Sequence, residues 1–355
     1  MTISSLLKSL RRVPQSQKLF FVEHLRVMFK AGISLASAMK TLALQADNRT
    51  FREILLDIYK NIEKGNNFSN SLANYPRVFD DLFVNMIRAG EATGKLEDAM
   101  ERLYIQIKKN YELKSKIKGA LIYPTIILIA MVVIGIGVIV FVIPRVAPLF
   151  TEVGATLPLA TRILITISEF IVNHGVFSAI AAIVLIAAVV QLMNNKTARH
   201  YFDLALLKLP IISPIIKKIN LALFARTLSS LIKTDIPIVQ TFQITSHVMS
   251  NEVYCDAIAQ SAEKIKKGIA IKDAIKKYPE LFSPVVLQMI AVGEETGSLD
   301  IILDELASFY EEEVSQIMNN LPSIIEPIII LLLGIGVAWI AIAVIMPIYS
   351  LAEQI

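Results

Sequence analysis

Shifted by 203 residues, the chain matches itself without a gap. The shift pairs Phe21 with Phe224, Leu25 with Leu228, Ile33 with Ile236, Gly65 with Gly268, and Tyr75-Pro76 with Tyr278-Pro279. It also pairs Phe79 with Phe282, Met86-Ile87 with Met289-Ile290, Gly90-Glu91 with Gly293-Glu294, Thr93-Gly94 with Thr296-Gly297, and Leu96 with Leu299. Residues 21–103 share 19 identities in 83 positions with their counterparts, and Pro124 and Pro144 fall on Pro327 and Pro347. Glycine and proline fix where a chain turns, so their coincidence at one constant shift means that both halves make the same turns. Whatever residues 21–103 fold into, residues 224–306 fold into as well.

Each copy runs into a long apolar segment. The chain is 54% hydrophobic with a mean hydropathy of +0.58, too apolar for an ordinary soluble protein. Three uncharged runs approach the roughly twenty helical residues that cross a bilayer: Gly119–Val142, Gly175–Met193 and Pro327–Leu351. The second is shorter and alanine-rich, and a buried soluble helix is the alternative there.

Lysine and arginine set the orientation. Lys108, Lys109, Lys114, Lys116 and Lys118 precede the first run, and Lys196, Arg199, Lys208, Lys217 and Lys218 follow the second; residues 144–174 between them hold only Arg145 and Arg162. The N-terminus and both repeats are therefore expected on the cytoplasmic side, the loop and C-terminus outside. Two repeats each followed by one span would otherwise lie on opposite faces. The middle span reverses the second repeat, which implies that the two work together on one side of the membrane.

The fold class expected is an all-α membrane protein with two homologous cytoplasmic six-helix bundles and three transmembrane helices. The boundaries are 1–118 for bundle 1, 119–143 for the first span, 144–174 for an external loop and 175–193 for the second span. Bundle 2 follows at 194–322, the third span at 323–351 and an external tail at 352–355. Apolar residues recur at three- and four-residue spacing, as in "FVEHLRVMF", and no alternating runs suggest strands. In the first copy helices are expected near 17–30, 34–46, 50–64, 68–73, 79–89 and 95–118, with a break at Gly32 and Ser34 as an N-cap.

The segment "GEATGKLEDAMERL", Gly90–Leu103, resembles a phosphate-binding loop only superficially. A P-loop needs four residues between its glycines and a hydroxyl after the lysine, whereas here there are three and Leu96 follows. The copy "GEETGSLDIILDEL", Gly293–Leu306, has Ser298 in place of the lysine. The segment is better read as a turn between the fifth and sixth helices, with Gly90 closing one in a left-handed conformation and Gly94 opening the next. Glu97 and Asp300 then sit in a first turn, favourable to the helix dipole. A glycine turn does not require Glu91 and Glu294, whose roles stand open between bonding a neighbouring helix and contacting a partner. With their glycines Gly90, Gly94, Gly293 and Gly297 they are the leading partner-binding candidates.

Other chemistries find little support. The lone Cys255 cannot form an internal disulfide, and His24, His174, His200 and His247 lack ligand spacing. No metal, cofactor or catalytic residue is expected, and a net charge of +4 does not indicate nucleic-acid binding. Arg11 and Arg12 follow the first apolar patch rather than precede it, unlike a signal peptide.

The chain resembles the inner-membrane platform proteins of type IV pilus and type II secretion machines, the PilC/GspF type. The resemblance covers nearly all of it: the two "F..L....AGI.L" and two "GExTGxL" segments, "KIKGALIYP" (Lys116–Pro124), "LFTEVGATLPLATR" (Leu149–Arg162) and "IEPIIILLLGIGVAWIAIAVIMPIY" (Ile325–Tyr349). It implies a non-enzymatic platform, working as a homo-oligomer. A hexameric cytoplasmic assembly ATPase would dock on it, pilin or pseudopilin subunits would leave the membrane through it, and other inner-membrane assembly proteins would bind it. Under that reading Glu326, at the start of the third span, either serves a pilin helix or reaches headgroup water. Gly135, Gly137, Gly334 and Gly336 either line a groove or allow close helix packing. Pro124 and Pro327 set a helix start or a kink. "GATLP" (Gly154–Pro158) is an external partner contact or an ordinary turn, and the juxtamembrane lysines serve the ATPase or anionic lipid. A transporter or a scaffold receptor built on the repeat are the rival classes; the spans lack internal charge pairs, and the loop leaves little room for an external domain.

Overall fold

A computed structural model describes residues 13–145 and 159–352. Among these every regular element is helical. The first repeat comprises α1 (Gln15–Lys30), α2 (Leu35–Gln45), α3 (Arg49–Glu63), α4 (Phe68–Ala73), α5 (Asp81–Thr93) and α6 (Leu96–Gly137). A π-helical stretch, Val138–Val142, continues α6. After α7 (Leu159–Asn173), α8 (Gly175–Asn194) and α9 (Lys196–Lys208) comes the second repeat: α10 (Ser213–Ile232), α11 (Ile238–Val248), α12 (Glu252–Lys266), α13 (Ile271–Ile275), α14 (Pro284–Thr296) and α15 (Leu299–Ala352).

The 203-residue shift carries α2 onto α11, α3 onto α12 and α5 onto α14 end for end, and the starts of α4 and α6 onto those of α13 and α15. The turns follow the same rule. Gly65 and Gly268 have φ of +85° and +84°, Gly94 and Gly297 +70° and +68°. Gly32 is left-handed at +78°, and its counterpart Asp235, with φ 59°, is the one non-glycine residue in that region among those described. A turn that needs a left-handed residue is thus kept even where the glycine is lost, at the cost of Cβ strain. Ser34 caps α2 by accepting the N–H of Ser37, and Asn48 and Asn251 cap α3 and α12.

Contacts divide the chain into two compact units, residues 1–115 with 200–315 and residues 116–199 with 316–355. In the first, each repeat closes on an aromatic cluster. Phe21 lies 5.7 Å from Phe51 and 5.9 Å from Phe79 in one, and Phe282 lies 5.2 Å from Phe224 and 5.8 Å from Tyr254 in the other. The rings occupy equivalent positions and are fully buried, so the shared aromatic residues are core rather than surface. Tyr254 replaces a phenylalanine and satisfies its hydroxyl by donating to the Leu281 carbonyl at 2.8 Å. Burial pushes that phenol well above the ordinary tyrosine range.

The second unit contains the apolar segments. Among the described residues two helices are long and apolar enough to cross a membrane, residues 96–145 and 299–342. Pro124 and Pro327 lie inside unbroken helix, so neither marks a helix start. Residues 159–173, expected as part of a loop, form a helix instead. Thr161, Leu164 and Ser168 recur at helical spacing and are the buried stripe of α7. Ser168 donates to the Ile139 carbonyl at 2.5 Å, inside the π-helical stretch. A π turn changes the partner of a backbone carbonyl, and here a side chain from another helix takes up the acceptor.

Candidate functional site

The repeated glycine-glutamate segment is built alike in both halves. Glu91, on the last turn of α5, reaches back 23 residues and accepts the backbone N–H of Phe68 at 2.6 Å and of Ser69 at 3.0 Å. Glu294 accepts the N–H of Ile271 at 2.8 Å and of Lys272 at 3.3 Å. These are the first two amides of α4 and of α13. The residues at the N-cap positions, Asn67 and Ala270, supply no side-chain cap, and Ala270 has no polar group to offer. A carboxylate from another helix therefore performs the capping, with the helix dipole in its favour. One of the two roles left open by the sequence is thus occupied in both repeats.

The glycines divide the labour differently from the expectation. Gly94 and Gly297, not Gly90 and Gly293, take the left-handed conformation and close α5 and α14. Gly90 is buried within α5, and a Cβ placed on it would stand 2.5 Å from the Ala99 Cβ. On Gly293 it would meet the Leu299 backbone at 3.0 Å. The first glycine of the motif is needed for close approach of consecutive helices, the second for the turn. The P-loop reading fails on the same geometry, because Gly90–Thr93 form the last turn of α5 rather than an open loop whose amides could wrap a phosphate.

In the first repeat the loop borders a concavity of about 590 Å³ lined by Asn67, Asn70, Arg88, Glu91 and Gly94 among others. Asn67, Ser69, Asn70, Arg88 and Glu91 give its lining hydrogen-bonding groups that a peptide surface could meet.

The two repeats contact each other through different faces. Gln106 of α6, fully buried, donates to the Thr227 hydroxyl at 3.2 Å and accepts from Ser230 at 2.7 Å, both on α10. Gln240 of α11 donates to Asn85 of α5 at 3.1 Å, and His247 lies 3.1 Å from Asp81. Leu231, Ile236 and Ile244 of the second repeat belong to the hydrophobic core of the first.

Beside this contact lies an ion network that the sequence did not single out. Buried Arg226 donates through Nε and Nη2 to Glu311 at 2.7 and 3.0 Å and through Nη1 to Asp304. Lys233 reaches Asp304 at 2.8 Å, and Lys109 of the first repeat stands 3.6 Å from Glu311. Burial alone would raise the Asp304 carboxyl, but the Lys233 hydrogen bond and the charges of Arg226 and Lys233 outweigh it and hold it below its ordinary range. In the first repeat Arg226 aligns with Glu23, and Glu101, the equivalent of Asp304, is held instead by Arg26 at 2.7 Å. The acid is kept while the arginine changes position, so the repeat did not mark Arg226.

The remaining expected positions are scattered. Glu326 is exposed on α15. A Cβ on Gly135, Gly137, Gly334 or Gly336 would meet nothing within 4 Å, so these glycines do not mediate close packing among the described residues. Pro158 and the rest of "GATLP" lie outside the described residues.

The chain matches the family described as type II secretion system (T2SS), protein F, twice, over residues 21–144 and 224–347. The two matches stand 203 residues apart, the same shift that relates the helices. The chain belongs to that family. Among its relatives, it is 33% identical to the type IV pilus assembly protein PilC of Thermus thermophilus over 93% of this chain and 81% of that one. With PilC of Pseudomonas aeruginosa the identity is 30%, over 99% and 94%. With the type II secretion system protein F of Vibrio cholerae it is 30%, over 92% and 80%.

Proposed function

We propose that this chain is the inner-membrane platform of a type IV pilus or type II secretion machine, a non-enzymatic part moved by a separate motor. The observation that carries the reading is that each family match contains a bundle and the start of an apolar helix continuing from its sixth helix. Two such units in tandem place both bundles on one side only if the chain crosses the membrane between them. The uncharged α8 is 20 residues long, about 30 Å of helix, which matches a hydrocarbon core. Three spans then set the N-terminus and both six-helix bundles in the cytoplasm and the C-terminus in the periplasm, in accord with the lysine distribution.

In this reading a hexameric assembly ATPase docks on the paired bundles. Its cycle moves them, and α6 and α15, each running from a bundle into an apolar segment, carry the movement to the membrane. Pilin or pseudopilin subunits are thereby drawn from the bilayer into a growing filament. The concavity beside Glu91 and Arg88 is the proposed docking feature of the first bundle, and the platform works as a homo-oligomer.

The test is to delete the gene in its host and score surface filaments and secreted protein. Membranes carrying the full chain are then cross-linked and probed for the host's assembly ATPase. Loss of filaments or secretion together with capture of the ATPase supports the reading. Normal filaments and secretion without the chain would overturn it.

A further inference from the structure

The contact between the two repeats is heterologous. Were it a two-fold contact, the counterpart of every interaction would be made as well: Phe309, equivalent to Gln106, would meet His24 and Val27, equivalent to Thr227 and Ser230. Instead the counterparts are open. Gln106 is 0% exposed and Phe309 56%; Ser230 is 8% exposed and Val27 53%; Ile236 is 7% exposed and Ile33 41%. Leu82 of α5 is buried at 3%, whereas Val285 on α14 is 60% exposed. One face of the first repeat, on α5 and α6, thus holds the opposite face of the second, on α10 and α11. The α1/α2 face of the first repeat and the α14/α15 face of the second lack the contact that their counterparts make.

We infer that a second copy of this chain seats its α1/α2 face on the α14/α15 face of the first, repeating between chains the contact made within each. Three observations favour this occupant. The two open faces are the complementary halves of an interface already formed in the molecule. Both carry exposed apolar side chains, Val27 and Ile33 on one and Val285 and Phe309 on the other, where the internal contact is buried. Their charges oppose: residues 15–45 hold four Lys/Arg against one acid, whereas residues 284–315 hold eight Asp/Glu and no Lys or Arg. Glu294, Asp304, Glu311 and Glu313 are engaged within the chain, as is Arg26 with Glu101, and the opposite signs persist in the remainder, which favours pairing of unlike faces over like. A heterologous contact propagates until it closes, so copies held in one membrane form a ring or an open arc rather than a two-fold dimer. The inference deepens the homo-oligomer of the proposed platform and names its surfaces; it does not depend on the motor.

Cross-linking of the full chain in native membranes tests it, in a Cys255→Ser background without ATPase. The internal Asn85–Gln240 pair corresponds to Gln288 of one copy and Ser37 of the next. Asn85→Cys with Gln240→Cys in one chain, treated with a short bis-maleimide, calibrates the geometry, because that reagent spans more than a disulfide can. Co-expressed Ser37→Cys and Gln288→Cys chains should then link to each other, and neither alone. A chain carrying both should give a ladder of multimers. Val27→Asp and Phe309→Asp should each weaken self-association by about tenfold while helix content is kept. Linking within chains but not between them would overturn the inference, as would self-linking of either single variant or unchanged association of the aspartate variants. None of these results would remove the motor reading, since no motor is present.

Discussion

The carboxylate of Glu91 accepts the backbone N–H of Phe68 at 2.6 Å, and so caps a helix that begins 23 residues before it. Glu294 does the same for Ile271. A cap supplied from a distance ties the short fourth helix of each repeat to the end of the fifth, and its loss should be felt locally. Glu91→Ala is expected to destabilise the start of α4 by about 1–2 kcal/mol. Amide exchange at Phe68 and Ser69 should quicken about five- to thirtyfold, and Glu91→Gln should have roughly half that effect in free energy. Unchanged exchange at both amides would remove the capping role.

The two glycines of the motif should respond to different substitutions. Gly94→Asn should be milder than Gly94→Ala, because asparagine tolerates the left-handed region and alanine loses about 1–2 kcal/mol there. Gly90→Ala meets the Ala99 Cβ and should cost about 1–3 kcal/mol. A second change, Ala99→Gly, should recover part of the Gly90→Ala loss and none of the Gly94→Ala loss. Thermal denaturation of the four variants and their doubles decides this, and equal rescue of both would contradict the assignment.

Asp235 sits in a conformation that its counterpart Gly32 adopts without strain. Relief of the strain outweighs the extra freedom of glycine in the unfolded chain, so Asp235→Gly should stabilise by about 0.5 kcal/mol. A lower melting temperature would count against it.

Arg226 is buried between two acids, and its removal leaves carboxylates short of a partner. Arg226→Ala should cost about 3 kcal/mol, and Arg226→Lys should restore little, because a single ammonium cannot replace the guanidinium fork. Asp304 gives the network a pH dependence. Its pKa in the fold is depressed below the ordinary value of 3.8, so the stability it contributes is present above that value and is lost as pH falls through the folded pKa. Acid melting of the wild type should therefore show a decline below about pH 4 that Asp304→Asn lacks. Identical acid profiles would contradict the network.

Much of the fold was legible because the chain states it twice. Apolar periodicity placed the helix starts of the first repeat close to those observed and the constant shift carried most of them to the second, although the sixth helix runs on to Gly137 and α10 begins earlier, at Ser213. The shift also marked the Glu91 motif as important before its partner was known. Phe21 and Phe79 repeat because each fills the core of its own bundle. What repetition cannot reveal is whatever differs between copies. Gln106 aligns with Phe309 because only Gln106 bonds the other repeat, and Arg226, which aligns with Glu23, bonds acids of its own repeat that the first repeat pairs differently. The turn was assigned to Gly90 rather than Gly94 because both residue type and spacing suit a turn, and only the proximity of Ala99 separates packing from conformation. The helix at Leu159–Asn173 was overlooked because its buried stripe mixes Thr161 and Ser168 with Leu164, a pattern that hydropathy alone does not distinguish from a loop.

The central claim is that a middle crossing returns the second repeat to the side of the first, and labelling of single cysteines in intact cells tests it most directly. In a Cys255→Ser background, Lys60→Cys and Glu263→Cys occupy equivalent exposed positions in α3 and α12, and Glu152→Cys lies between the first two proposed spans. The account predicts that a membrane-impermeant maleimide labels Glu152→Cys from outside and reaches the other two only after the cells are opened. Labelling of Glu263→Cys in intact cells, with Lys60→Cys still protected, would put the repeats on opposite faces and contradict it.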